Sequence, residues 1–418
     1  MRSEICARCR PLVASARRQI LRSTARQQQQ RRHESTTSHT ADGSSEVTET
    51  KKKKNVVFSG IQPTGVPHLG NYLGALRQWK RLQDDAQRTG DRLLFSVVDL
   101  HAITMPQEAT ALRIQRREML AALLAVGLDP DKGSTLFFQS SVPQHAELMW
   151  ILSCTASMGY LSRMTQWKSK LQMHNKQAGL DDAAMSKLKL GLFSYPVLQA
   201  ADILVHRATH VPVGADQQQH LEFARECATN FNHTFKDVLI PPQTMTTPSA
   251  RVMSLTHPHN KMSKSSPNHR SRILITARRD EVRSRVAGAV TDGLNAVTYE
   301  PEARPGVANL LELLSQCREG ETKEEEGGGE GRREVLSPQV LADRYAAAGA
   351  TLRDLKADVA DAVWRELDGV RERYLDFLDR KGGKWLDEIE AEGAEAARRN
   401  AEQTMRLVRH AVGLGPRP

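Results

Sequence analysis

The sequence predicts an α/β protein in which a parallel sheet flanked by helices is followed by an all-helical C-terminal region. Three observations carry that expectation. After residue 55, short apolar runs alternate with helix-like stretches, the pattern of strand–helix–strand units. The first apolar run ends in FSGIQPTG, a glycine-containing turn at the carboxyl end of a strand, where parallel sheets bind nucleotides. From about Ser271 the strand signal fades, and long charged helical patterns dominate to the end.

In chain order, the first segment is a leader. Residues 1 to 33 hold nine arginines and a single acid, Glu4, interleaved with Ile5, Leu12, Val13, Ile20 and Leu21, the composition of a mitochondrial targeting peptide. The alternative is a basic arm that touches RNA. A Gln27 to Gln30 tract, a Ser/Thr-rich spacer and Lys51 to Lys54 extend the expected disorder through residue 54. Most of the formal net charge of +10 lies here, since residues 1 to 54 sum to +8. Overall basicity therefore says little about a nucleic-acid surface on the body of the protein. No apolar run reaches membrane-spanning length, so a soluble protein is expected. Five scattered cysteines, of which Cys6 and Cys9 form a CxxC without a second half, indicate neither a zinc site nor a disulfide framework.

Asn55 to Ile61, Leu93 to Leu100 and Thr135 to Gln139 then read as strands, with helices over Asn71 to Leu82 and Gln107 to Val126. In the helical C-terminal region, Glu319 to Glu334 contains EEEGGGEG and reads as a flexible surface insertion. The final helix carries Ala401, Met405, Val408 and Val412 on one stripe and ends at Gly413, Gly415 and Pro416. Arg398, Arg399, Arg406 and Arg409 lie mostly off that stripe, as either a solvated face or an RNA contact.

Two segments carry chemistry. FSGIQPTGVPHLGN (Phe58 to Asn71) puts a glycine-rich turn and His68 at a helix start, where backbone N–H groups meet phosphate. NKMSKS (Asn260 to Ser265) brings two lysines to a loop. The nucleotide motifs GxGxxG and GxxxxGK[ST] are absent, which excludes the usual dehydrogenase and P-loop readings. Together these segments suit a split site for the ATP triphosphate, in which positioning and electrostatics carry the reaction.

His68-Leu69-Gly70-Asn71 resembles the HIGH element of class I aminoacyl-tRNA synthetases, and Lys261 to Ser265 is similar to their KMSKS element letter for letter. The first segment with GNYLGALRQW most resembles the tryptophanyl-tRNA synthetases, continuously from about residue 55 apart from the insertion. That resemblance implies a Rossmann-like catalytic domain over 55 to 270 and a helical tRNA anticodon-binding domain over 271 to 418. It implies ATP-dependent formation of tryptophanyl adenylate and transfer to tRNA(Trp), in the mitochondrial matrix, by a homodimer. ATP would enter as co-substrate with Mg²⁺, since no protein carboxylate cage for a metal and no tightly bound cofactor is indicated.

The implied site follows residue by residue. His68, Asn71, Lys261 and Lys264 would be catalytic, the lysines neutralising the β and γ phosphates. Gln62, Pro63, Thr64, Gly70, Lys168, Gly214, Ala215, Asp216, Val252, Met262, Ser263 and Ser265 would complete the ATP site. Phe58, Asp202 and Gln217 would hold tryptophan. Asp202, in FSYPVLQAADILVH, suits the indole N–H, because that group only donates and an ionised carboxylate only accepts. Ser266 stands where the family commonly has Asp, which bears on loop closure. The enzymatic alternative is a tyrosyl-tRNA synthetase; the non-catalytic one is a synthetase-like RNA-binding or splicing factor.

Overall fold

The computed structural model describes residues 54–170, 188–214, 217–246, 251–318 and 336–415. Of the segment read as a leader, the residues up to 53 lie outside the described residues, as do Ala215, Asp216 and the expected insertion at 319–334. Among the described residues, five parallel strands form one sheet in the order β3-β2-β1-β4-β5. They are β1 (Val56–Ile61), β2 (Arg92–Val97), β3 (Ser134–Phe138), β4 (His210–Val213) and β5 (Gln243–Thr246). Strand order reverses between β2 and β4 on either side of β1, so a crevice opens at the carboxyl ends of β1 and β4.

The predicted strand over Leu93 to Leu100 stops at Val97, because Asp99 is drawn out of the sheet: it accepts from Ser140 N (2.9 Å) and pairs with Arg116 (2.9 Å). Neither β4 nor β5 is expected from sequence. Each has four residues, β4 contains Pro212, and both sit far from the apolar alternation that marks a longer strand.

Helices of nine or more residues are numbered α1 (Arg77–Thr89), α2 (Ala109–Ala125), α3 (Gln144–Ser153), α4 (Leu190–Val205), α5 (Gln218–Thr234), α6 (Arg279–Ala287), α7 (Pro305–Cys317), α8 (Pro338–Ala347), α9 (Leu352–Glu366), α10 (Val370–Asp379) and α11 (Lys384–Ala411). The helix expected over Asn71 to Leu82 is part of a longer run. It starts at Leu69–Asn71, widens to a π-turn over Tyr72–Leu76, and continues through α1 until Gly90 takes a left-handed φ of 71°.

Alternate strand residues feed two cores. Val57, Leu93, Phe95, Leu136 and Phe138 point to one face, with Trp79 of α1, Leu123 of α2, and Leu310 and Val359 of α7 and α9. Phe58, Leu94, Phe137 and Val211 point to the other, with Leu148 of α3, Ile203 of α4 and Phe223 of α5. Helix α11 reaches both: Leu386 joins the first core, whereas Ala397, Ala401, Met405 and Val408 join the second. The C-terminal helices thus share both cores with the sheet.

The crossing point of α11 is Gly393. A Cβ there would lie 1.7 Å from the Leu136 carbonyl oxygen, so only glycine lets the helix backbone cover the edge strand β3. Arg409 then anchors the last turn, donating to Glu147 of α3 at 2.7 and 2.6 Å and to Glu402 at 2.7 Å. Arg398 and Arg399 approach Glu395, and Arg406 approaches Glu402, so the four arginines all have carboxylate partners within the chain.

Candidate active site

The turn after β1 ends at His68, which caps the first helical turn. Its Nδ1 accepts from Asn71 N (3.2 Å), and Asn71 Oδ1 accepts from His68 N (3.1 Å), a reciprocal capping box. With Nδ1 accepting, the ring's proton sits on Nε2. Burial, reinforced by the charges of Lys264, Arg272 and Lys261, pushes the His68 imidazole down to about 4. It is therefore a neutral N–H donor at physiological pH, suited to a phosphate oxygen. Gly70 is needed beside it, since a Cβ there would meet His68 Cε1 and Nδ1 at 3.0 Å. Gly65 holds a φ of +79° that other residues resist.

The lysine loop docks on this turn. Lys264 Nζ donates to Thr64 O (3.1 Å), Thr64 Oγ1 (3.2 Å) and Gly65 O (2.7 Å), bridging 199 positions of sequence in the last contact. Burial pushes its ammonium down to about 8; Glu118 opposes that shift and Arg272 adds to it. Pairing of the segment after the loop holds the arrangement: Leu69 N donates to Ile273 O (2.8 Å) and Ile275 N to Pro67 O (3.0 Å). Before the loop, Met262 N donates to Val252 O (3.0 Å), and Asn309 of α7 accepts from Met253 N (3.1 Å). Ser263 and Ser265 bond each other through their hydroxyls (2.8 Å), while Lys261 stays exposed. The carbonyl of Ser266 is held by Arg272 (2.9 Å), a contact that needs no side chain at that position.

Beside the turn, at the crevice between β1 and β4, lies a cavity of about 380 Å³. Phe58, Gln62, Asp202, Gly214 and Gln217 line it, which brings together five of the residues singled out from sequence. Thr64, Gly70, His68, Asn71, Val252 and Met262 to Ser265 form the adjoining turn and loop, with Pro63 buried in the turn. Lys168 is only 5% exposed, and its Nζ lies 5.4 Å from the Trp167 ring centroid.

Asp202, 1% exposed, is held by side chains alone: Gln139 Nε2 at 2.8 and 2.9 Å, His145 Nδ1 at 2.5 Å and His101 Nε2 at 2.9 Å. Burial acts to raise its carboxyl, but the charge on His145 and the hydrogen bonds from His101 and His145 outweigh this and keep it ionised well below the usual carboxylate range. Sequence reasoning missed His101, Gln139 and His145, and also Gly74, Trp79 and Tyr195 of the cavity wall. The π-turn is what presents Gly74 and Ala75 to the cavity, and no residue pattern announced it. A hint for His145 existed only in a His immediately after a strand-ending QSSVPQ.

A parallel sheet with a neutral histidine donor at a helix start, a loop lysine docked on the adjoining turn, and a cavity with an ionised carboxylate in its wall suits a class I site for making an aminoacyl adenylate. The comparisons narrow this. A family model described as tRNA synthetases class I (W and Y) matches residues 50–346. The mitochondrial tryptophan–tRNA ligase of Schizosaccharomyces pombe is 42% identical over 364 residues, covering 86% of this chain and 95% of that protein. Among solved structures, tryptophanyl-tRNA synthetase from Mycoplasma pneumoniae is similar with a TM-score of 0.69 at 30% identity, covering 87% of this chain and 98% of that one. The Campylobacter jejuni tryptophanyl-tRNA synthetase, solved with ADP and tryptophan, gives 0.65 at 30% identity, covering 86% and 100%. The chain belongs to the class I tRNA synthetases of the tryptophan and tyrosine family.

Proposed function

We propose that this chain activates L-tryptophan with ATP and transfers it to tRNA(Trp) for translation in the mitochondrial matrix. The observation that carries the reading is the junction of the Lys264 loop with the Thr64–Gly65 turn beside a cavity floored by Asp202. The tryptophan carboxylate attacks the α-phosphorus of ATP and pyrophosphate leaves. A terminal ribose hydroxyl of the tRNA then attacks the adenylate carbonyl, and AMP departs. His68 and Asn71 donate to phosphate oxygens, and Lys261 and Lys264 offset charge moving onto pyrophosphate. Lys264 must exchange the Thr64 and Gly65 carbonyls for phosphate oxygens as ATP enters, so its present contacts prepare the loop for closure. Mg²⁺ arrives with ATP as part of the substrate.

Gln62, Pro63, Thr64, Gly70, Ala215, Val252, Met262, Ser263 and Ser265 form the ATP side, with Gly214 and Asp216 on the ribose. Lys168 reaches the triphosphate only after its segment moves, given its burial. Phe58, Asp202 and Gln217 receive tryptophan. The helices after residue 270 bind the tRNA anticodon, and two copies assemble as a homodimer. The mitochondrial relative and the arginine-rich leader composition support the location. The test is charging of a mitochondrial tRNA(Trp) transcript with labelled tryptophan. Adenylate formation without charging would reduce the reading to activation alone; charging of tRNA(Tyr) with tyrosine would replace it.

A further inference from the structure

A line of buried polar groups runs from the cavity floor to the last helix. Asp202 Oδ1 lies 2.5 Å from His145 Nδ1, His145 Nε2 lies 3.2 Å from His206 Nε2, and His206 Nδ1 lies 2.7 Å from Asn400 Oδ1 of α11. His145 and His206 are fully buried and Asn400 is 9% exposed.

Proton positions follow from the two ends inward. An ionised carboxylate only accepts, so His145 Nδ1 donates to Asp202. An amide oxygen only accepts, so His206 Nδ1 donates to Asn400. The contact between the two Nε2 atoms needs one hydrogen and one lone pair. The three contacts leave one extra proton to share between the rings, and His145 lies 2.5 Å from the ionised Asp202 whereas His206 faces only the neutral Asn400 amide and is pushed down by burial, so the His206 ring is neutral and its Nε2 is the lone pair. His145 must then donate from both nitrogens.

We propose that His145 is a resident imidazolium counter-ion to Asp202, and that His206 and Asn400 are positioning residues which hold it so that tryptophan recognition depends on the C-terminal helix. The proposal rests on the reading that Asp202 receives the indole N–H. Its consequence is a division of labour between the carboxylate oxygens. Oδ1 is committed to His145, whereas Oδ2 meets His101, which itself lines the cavity. The incoming indole N–H is therefore received on the Oδ2 side. With the negative charge already offset by a fixed partner, the floor suits a neutral donor and gives a cationic side chain no advantage.

Two measurements on the full chain test this. In protein labelled with ¹⁵N in its histidine rings, and assigned with His145→Gln and His206→Gln, His145 should show two protonated ring nitrogens at pH 7.5 and His206 one. An unprotonated nitrogen on His145 would overturn the proposal whether or not the protein activates tryptophan. In ATP–pyrophosphate exchange, Asn400→Leu should raise the tryptophan KM about tenfold, as expected for removing a partner from a buried charged network, with the ATP KM unchanged. Asn400→Gln, which keeps a neutral amide acceptor, should recover part of that loss. Equal rises in both KM values, or no recovery in Asn400→Gln, would mean that Asn400 serves only the packing of α11. Wild-type protein with the expected ring protonation but no exchange on tryptophan would instead sink the functional reading.

Discussion

The proposed phosphate side and the proposed tryptophan side of the site are neighbours built from different materials. On the phosphate side, Lys264 is gripped by Thr64 and Gly65, mostly through backbone carbonyls, and the turn is tied to the 273–275 segment by main-chain bonds. On the tryptophan side, Asp202 is held by Gln139, His101 and His145, then through His206 by Asn400, all of them side chains from separate elements. Backbone scaffolding tolerates changes in side chains around it, whereas a buried polar network is satisfied or broken as a unit. The phosphate side should therefore respond to substitution locally and in rate, and the tryptophan side in specificity and in stability together.

The largest effect should come from Asp202→Ala. A site built to accept a substrate hydrogen bond discriminates by roughly four to five orders of magnitude, so exchange on tryptophan should be lost to that extent. Removing one partner of a buried pair also leaves His145 uncompensated, at about 3–5 kcal/mol of unfolding free energy. Tryptophan still preferred over phenylalanine in exchange assays of this variant would break the comparison. Gly393→Ala should rival it in stability, since its Cβ would lie 1.7 Å from a backbone oxygen; a melting temperature equal to wild type would mean that α11 does not cover β3 as described.

Next comes Lys264→Ala. Removing one preorganised electrostatic contact costs about 10²- to 10³-fold in rate, and adenylate formation should fall by that much with the tryptophan KM unchanged. A matching rise in tryptophan KM would show that the two sides are not separable. Gly70→Ala is a finer probe: its Cβ would press on His68 at 3.0 Å, and a drop of about tenfold in the exchange rate is expected from displacing one hydrogen-bond donor.

The smallest effects are on pH dependence. With Lys264 pushed down to about 8, kcat/KM for ATP in the exchange reaction should fall as pH rises through that value in the free enzyme. His68 works in the opposite direction and on stability. Its folded pKa of about 4 lies below its unfolded 6.5, so the unfolded state binds more protons between those values. Stability is therefore fully retained above pH 6.5 and lost progressively as pH falls towards 4. In denaturant titrations, His68→Asn should flatten part of that slope.

The same contrast explains what the sequence disclosed. The HIGH-like turn and the lysine loop were legible because each is a contiguous run of residues, although their docking on each other spans 199 positions. The three longer strands were legible from apolar runs, and Phe58, Gln62, Asp202, Gly214 and Gln217 meet at one cavity although they span 160 positions. What stayed hidden depends on distant packing. His206 and Asn400 are 194 positions apart, and nothing local marks either as part of a network. Strands β4 and β5 take their conformation from the sheet beside them rather than from four-residue patterns containing proline or polar residues. The π-turn over Tyr72–Leu76, which brings Gly74 and Ala75 to the cavity, likewise has no marker in the local sequence.

The most direct measurement is ATP–pyrophosphate exchange with the purified protein, assayed separately with each of the twenty amino acids. The account predicts exchange on tryptophan alone, with tyrosine and phenylalanine lower by roughly four orders of magnitude or more, as a hydrogen-bonding specificity site requires. Comparable exchange on tyrosine, or none on any amino acid, would contradict it.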